Sequence, residues 1–245
     1  MRGRIAPRWV RLGVAASLAA CFSLPASAAD DLDRLVALFD SVVFGSEIPG
    51  VAPATRLRKW TGEVRYKIGG RGASAARPSI QHHAAILARL TGLAYREIGA
   101  QDRGENLVIL VVPGAEMFKA GQQIEKDTAT LKRIVEGAHC YFLSYSVEDR
   151  ITYGAVIANA EIAPADLDRC LMEEMAEVLG LPNDDDAIKA RYDSLGRSWS
   201  RHAPLAPAGA LMVRTLYDRE MAAGLPRADA LLRARQVIER LLASP

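Results

Sequence analysis

Histidine is scarce in this chain, four in 245 residues, and no two of them stand one helical turn apart. His82 and His83 are adjacent, so on a helix they leave the axis about 100° apart and do not chelate one ion. That excludes a metal centre built on a His-x-x-x-His helix. A surplus of either charge is also missing, since 31 Lys and Arg against 29 Asp and Glu leave +2. No basic stripe interleaved with aromatics runs along any segment, which excludes nucleic acid as a partner. Gly69-Gly70-Arg71-Gly72 lacks the Lys-Ser/Thr ending of a phosphate loop and the spacing of a dinucleotide fingerprint. It reads as a flexible loop, and no cofactor is expected. The apolar run from Leu12 to Leu24 is shorter than the about 20 residues of a membrane span, so none is expected. There is no internal repeat.

What is present is a chain that is 50% hydrophobic and 24% charged, enough to bury a sizeable core. Arg2, Arg4, Arg8 and Arg11 form a basic start, Leu12 to Leu24 an apolar stretch, and Ala26-Ser27-Ala28 a small-residue cleavage site. Residues 1–28 therefore read as an export signal and 29–245 as a single domain. Leu18-Ala19-Ala20-Cys21 resembles a lipoprotein signal, so a lipid anchor at Cys21 is the alternative. The expected location is periplasmic or secreted, lipid-anchored in the second case. Export leaves Cys140 and Cys170 as the thiols of an oxidising compartment, and a disulfide between them is the first reading. The chain-entropy model gives such a loop roughly 3 to 3.5 kcal/mol. Two separately buried thiols, or a structural zinc using His139, Cys140 and Cys170, are the other readings.

Apolar spacing predicts a helix over Asp30–Phe44 and a strand within Leu57–Ile68, closed by Gly69-Gly70. Pro78-Ser79 opens a helix over about Ile80–Ala94, with Ser79 as its cap and Ile80, His83 and Leu87 along one side. Asn106–Val112 reads as a strand buried on both faces, and a helical connection follows over about Ala120–Glu136. Cys140–Ser146 and Ile151–Asn159 make a hairpin across Glu148-Asp149-Arg150. Pro164 and Asp166 start a central helix that stops at Gly180. An irregular stretch over Asp186–Arg201 precedes helices over about Pro207–Tyr217 and Pro226–Leu242.

The central helix carries the chemistry worth weighing. Leu171, Met175, Val178 and Leu179 fall on one side, while Arg169, Glu173 and Glu177 gather opposite, with Arg169 and Glu173 spaced as an i, i+4 pair. Glu174 sits at the edge of the apolar face near Cys170, where a carboxylate is either hydrogen-bonded inside or lines a cleft. Laid on the template H-E-x-x-H-x-x-G-x-x-H, Glu173 and Glu177 take the first two ligand positions, Glu174 the general-base position, Gly180 the turn and Asn183 the third ligand position. Every imidazole is missing, so no metal is assigned. Oxygen ligands alone would favour calcium, magnesium or manganese over zinc.

Lys59-Trp60, Tyr66-Lys67-Ile68-Gly69-Gly70, Cys170 with Glu173-Glu174, Leu179 to Asp184, and Leu216-Tyr217-Asp218 together resemble a bacterial family of exported proteins. It is catalogued as a domain of unknown function, number twenty-nine twenty-seven. The resemblance runs from about Trp60 to Gly224 and brings no reaction with it. More remotely, Leu179-Gly180-Leu181 and Leu216-Tyr217 are similar to matrixin-type metallopeptidases. That likeness implies an α+β, zincin-like fold: a mixed sheet packed on two long helices, with a small C-terminal helical part.

The expected function is a non-catalytic binding or accessory protein of the cell envelope with a degenerate metallopeptidase-like site. Its partner is an unknown envelope protein or peptide, held in a cleft at Glu173, Glu177, Asn183 and Asp184. The rival is a hydrolase with Glu174 as general base and a cation at Glu173 and Glu177. A purely structural envelope protein is the third reading.

Overall fold

The computed structural model describes residues 26–46, 51–183 and 207–243. The basic and apolar N-terminal stretches, Cys21, Asp184 and the stretch expected to be irregular beyond Asp186 lie outside them. The described residues form a mixed α+β structure of five strands and seven α-helices. In chain order these are α1 (Ala26–Phe44), β1 (Val64–Gly69), α2 (Ala73–Thr91), β2 (Tyr95–Glu97), β3 (Leu107–Val112), α3 (Met117–Gln122), α4 (Thr128–Val135), β4 (Cys140–Val147), β5 (Arg150–Asn159), α5 (Pro164–Glu177), α6 (Pro207–Leu216) and α7 (Arg227–Ala243). None of these helices is long and apolar enough to cross a membrane.

The strands lie in the order β2-β1-β3-β5-β4. β2, β1, β3 and β5 run parallel, and β4 pairs antiparallel with β5 at the sheet's edge. The period-2 alternation of a strand explains how the sheet serves two cores. Val64, Tyr66, Ile68, Leu107, Ile109, Val111, Val156 and Ala158 face the larger one, which α1, α2, α5, α6 and α7 complete. Val112, Tyr141, Leu143, Ala155 and Ile157 face a smaller one roofed by α3 and α4 through Met117, Ala120 and Leu131. Among the described residues, the half of the sheet made by β3, β5 and β4 is therefore the part covered on both faces.

Several expected boundaries shift. β1 begins at Val64 rather than Leu57, because the residues before it do not pair with its neighbours β2 and β3: Leu57 exchanges backbone bonds with Gly224 and Leu225, and the Lys59 carbonyl accepts from Ile151 N–H of β5 at 2.9 Å. α2 starts seven residues upstream of Ile80, and Pro78 lies inside it. The alanines at 73, 75 and 76 are strong helix formers that carry the first turns, and Ser79 is an interior residue, not the cap. The Gly-rich loop is a tight entry to this helix, with Gly70 at φ 92° and Gly72 N–H bonded to the Val111 carbonyl. The helical connection between β3 and β4 divides into α3 and α4, the second capped by the Asp127 carboxylate on Ala129 and Thr130 N–H. β2, three residues long, gives no periodicity to read.

Candidate functional site

β4 is the element around which a groove forms. Two adjoining cavities of about 380 and 400 Å³ flank it, sharing Ser144 and Pro182 in their walls. The first runs over Cys140 to Tyr145 and is bounded by α4, by Glu125 and by Glu174 of α5. The second continues past Ser146 to Glu148, Asp149 and Arg58, with Gly180 on the far side. Asn159 N–H donates to the His139 carbonyl. By the alternation of an antiparallel ladder, the N–H and C=O groups of Phe142 and Ser144 then face away from β5. Among the described residues no strand pairs with that outer edge.

The first cavity is lined by the aromatic Tyr141, Phe142 and Tyr145 together with the charged Glu125, Arg133 and Glu174, and the second by Arg58, Glu148 and Asp149 with smaller residues. The Tyr145 hydroxyl donates to Glu125 Oε2 at 2.9 Å, and burial first, then Glu125, holds its phenol above the ordinary range. Tyr141 donates to the Met117 carbonyl at 2.8 Å. At the opposite end Arg58 and Asp149 approach to 3.8 Å.

The glutamates of α5 separate by position. Glu173 is exposed, Glu177 is half-buried, and Glu174 is half-buried in the wall of the first cavity. Arg169 pairs with Asp166 at 3.0 Å. Asn183 donates its amide to the Ser41 carbonyl at 3.1 Å and to Ser41 Oγ at 3.2 Å, which ties the chain to α1. Asp184 lies outside the described residues. The two cysteines form the expected disulfide, Cys140 at the head of β4 and Cys170 on α5, with Cα atoms 6.1 Å apart. His139 is exposed beside it.

The residue motifs at 59–60, 179–181 and 216–218 meet in one buried knot behind the groove. Trp60 Nε1 donates to the Val178 carbonyl at 3.0 Å. The Tyr217 hydroxyl accepts from Trp60 N–H at 3.1 Å and donates to the Leu179 carbonyl at 2.8 Å. Lys59 Nζ donates to the Leu216 carbonyl at 2.9 Å and lies 5.2 Å from the centre of the Tyr217 ring. Burial brings the Lys59 ammonium down to about 8, against the opposing pull of Asp218. Gly180, at φ 113°, leaves room only for hydrogen where the Arg58 carbonyl crosses it. The knot fixes the end of α5, and with it Pro182 and the groove wall. The sequence singles out Lys59-Trp60, Leu179-Gly180-Leu181 and Leu216-Tyr217-Asp218 as motifs, but no periodicity announces that they meet.

A Ser, a His and an Asp also converge, between α2 and α5. His83 Nε2 lies 3.1 Å from Ser79 Oγ and 3.0 Å from Asp168 Oδ1, and Ser79 donates to the same carboxylate. A nucleophilic triad needs the hydroxyl and the carboxylate on opposite ring nitrogens. Here both meet Nε2, and Nδ1 is buried with no hydrogen-bond partner among the described residues. The cluster is an interhelix tie, and burial keeps His83 below its ordinary range despite Asp168. Its place on the Ile80, His83, Leu87 stripe was legible; its partner 85 residues away was not.

The groove, the disulfide and the knot all fall within residues 33–236, the span that matches a family described as Protein of unknown function (DUF2927). No curated protein and no solved structure matches the chain. The match covers most of the sequence, and the chain belongs to the DUF2927 family.

Proposed function

We propose that this chain is an exported, non-catalytic binding protein that holds an extended peptide segment of an envelope partner along β4. The observation that carries the reading is the groove beside an edge strand whose Phe142 and Ser144 backbone groups face it. An extended peptide adds to such an edge by main-chain hydrogen bonds, and the cavities on either side take alternate side chains. Export rests on the N-terminal basic and apolar pattern, and the disulfide suits an oxidising compartment.

The finer likeness to a metallopeptidase scaffold belongs to the same reading. It is supported by the edge placement of the antiparallel strand, by α5 following the last strand, and by α2 packing against α5 beneath the sheet. The degenerate site on α5 has Glu174 facing the groove, while Glu173 is exposed and Asn183 is bonded to α1. This favours binding over the rival hydrolase with a cation at Glu173 and Glu177.

The test is a screen of the full chain against an envelope-derived peptide pool, with hits measured by calorimetry. Ser144→Pro removes one outward N–H from the edge and is expected to abolish binding while the circular dichroism of the fold persists. Binding that survives this change with undiminished affinity sinks the reading. Peptide cleavage lost in Glu174→Gln would establish the hydrolase instead.

A further inference from the structure

The Cys140–Cys170 disulfide and Glu174 form a cluster in the wall of the first cavity, apart from the Phe142 and Ser144 backbone groups on which the peptide reading rests. Cys170 and Glu174 are i and i+4 on α5, so both side chains leave the same side of the helix toward the head of β4, where Cys140 sits. The two sulfurs and a Glu174 carboxylate oxygen lie within 4.8 Å of one another. Among the described residues this is where three potential ligand atoms come so close, and neither Glu173 nor Glu177 takes part. Cys140 is buried, Cys170 and Glu174 are half-buried, and Cys140 and Glu174 line the first cavity, which leads a small ion to the group.

While the sulfurs are bonded to each other they carry no thiolate charge and do not serve a metal as a pair of ligands. Reduction changes the donor set to two thiolates and a carboxylate. Soft thiolates select zinc over the hard cations that oxygen ligands prefer. Three protein ligands with one open position is the pattern of zinc sites that keep a place for water or substrate.

We propose that reduction of the Cys140–Cys170 bond converts this group into a zinc site, with Cys140, Cys170 and Glu174 as ligands and the fourth position open to the groove. The reductant is a dithiol. One of its thiolates attacks a cysteine sulfur, the S–S bond breaks, and the second thiol closes the reductant's own disulfide. Two electrons and two protons are thereby left on Cys140 and Cys170 as thiols. The zinc ion displaces both thiol protons to solvent as two Zn–S bonds form, and the Glu174 carboxylate supplies the third bond. Zn–S bonds of about 2.3 Å in a tetrahedron place the sulfurs about 3.8 Å apart. Cysteines whose Cα atoms are 6.1 Å apart reach that separation by side-chain rotation. In an oxidising compartment the site forms only where a dithiol is supplied, so zinc occupancy reports reduction.

The experiment uses the full chain, purified without metal-affinity resin, reduced with dithiothreitol and freed of it under argon. Zinc is titrated against a chromophoric chelator, and cobalt is used as a spectroscopic substitute. The reduced protein is expected to take up one zinc per chain about 100-fold more tightly than the oxidised protein. The cobalt form is expected to show tetrahedral d–d absorption with thiolate charge-transfer bands. Glu174→Gln leaves the disulfide able to form and is expected to weaken zinc by about tenfold or more while retaining the thiolate bands. Cys140→Ser with Cys170→Ser is expected to bind no better than the oxidised wild type.

The proposal is overturned if the reduced chain, still folded by circular dichroism, binds zinc no more tightly than the oxidised chain. It is equally overturned if the double serine variant binds like the reduced wild type, or if Glu174→Gln changes nothing. A reduced chain that loses its fold and does not regain it with zinc overturns it as well. Peptide affinity of the oxidised protein is measured separately, so failure here and failure of the peptide reading are distinguishable.

Discussion

A single hydroxyl joins three parts of the sequence. Tyr217 OH accepts from Trp60 N–H and donates to the Leu179 carbonyl, linking the segment before β1, the end of α5 and the end of α6. Tyr217→Phe leaves a donor and an acceptor without their partner in the interior, and the expected loss is about 1 to 3 kcal/mol by urea unfolding. Since Leu179 stands three residues before Pro182, the same variant is expected to loosen the groove wall, seen as faster amide exchange at Leu181. Its neighbour Lys59 gives a pH signature. Burial lowers its native value to about 8 from 10.5, so between those values the unfolded chain holds a proton that the native chain has released, and stability rises with pH. Wild-type stability is expected to climb by about 3 kcal/mol across that window. The climb is read as the difference between wild type and Lys59→Met in urea titrations at pH 7.5, 9 and 10.5. Parallel curves for the two proteins would show that Lys59 does not titrate there.

Among the elements, the β4–β5 hairpin turns on Glu148 and Asp149, at φ 50° and 61°. Two central residues with positive φ match the twist of the strands they join, but the left-handed region costs a side chain other than Gly or Asn about 1 kcal/mol. Glu148→Asn is expected to raise stability by about 0.5 to 1 kcal/mol in thermal unfolding without altering the fold. The hairpin was legible because two alternating runs flank a short polar link, and β3 because its apolar run is nearly unbroken. The start of α2 was not: Pro78 reads locally as a first-turn residue, and the alanines before it carry no amphipathic signal, while Gly72 is held by Val111 of a distant strand. The placement of Glu174 at the edge of the apolar face follows from helical geometry alone. Asn183 could not be placed in this way, because its partner Ser41 belongs to α1 and no local pattern records a contact across 142 residues.

At the scale of the molecule, the sheet's two cores depend on different closures. The larger core is closed by helices from both ends of the chain, α1 against α7, where Arg227 grips Asp40 through two bonds of 2.6 Å. The smaller is closed by α3 and α4 from the middle. The disulfide lies where the two halves meet, since Cys140 heads the strand that α4 covers and Cys170 belongs to the helix under the opposite face. Its loop of 30 residues contains the whole hairpin, so the bond holds β4, β5 and α5 near one another in the unfolded chain. Opening it frees that loop, and the chain-entropy model puts the loss at about 3.5 kcal/mol. Against a total of about 5 to 15 kcal/mol for a folded domain, that is a large fraction. Reduced protein without added metal is therefore expected to unfold in one transition at lower urea, with a somewhat larger denaturant slope because the uncrosslinked chain exposes more surface. An unchanged midpoint on reduction would mean that the loop is already held together in the unfolded ensemble by something other than the bond.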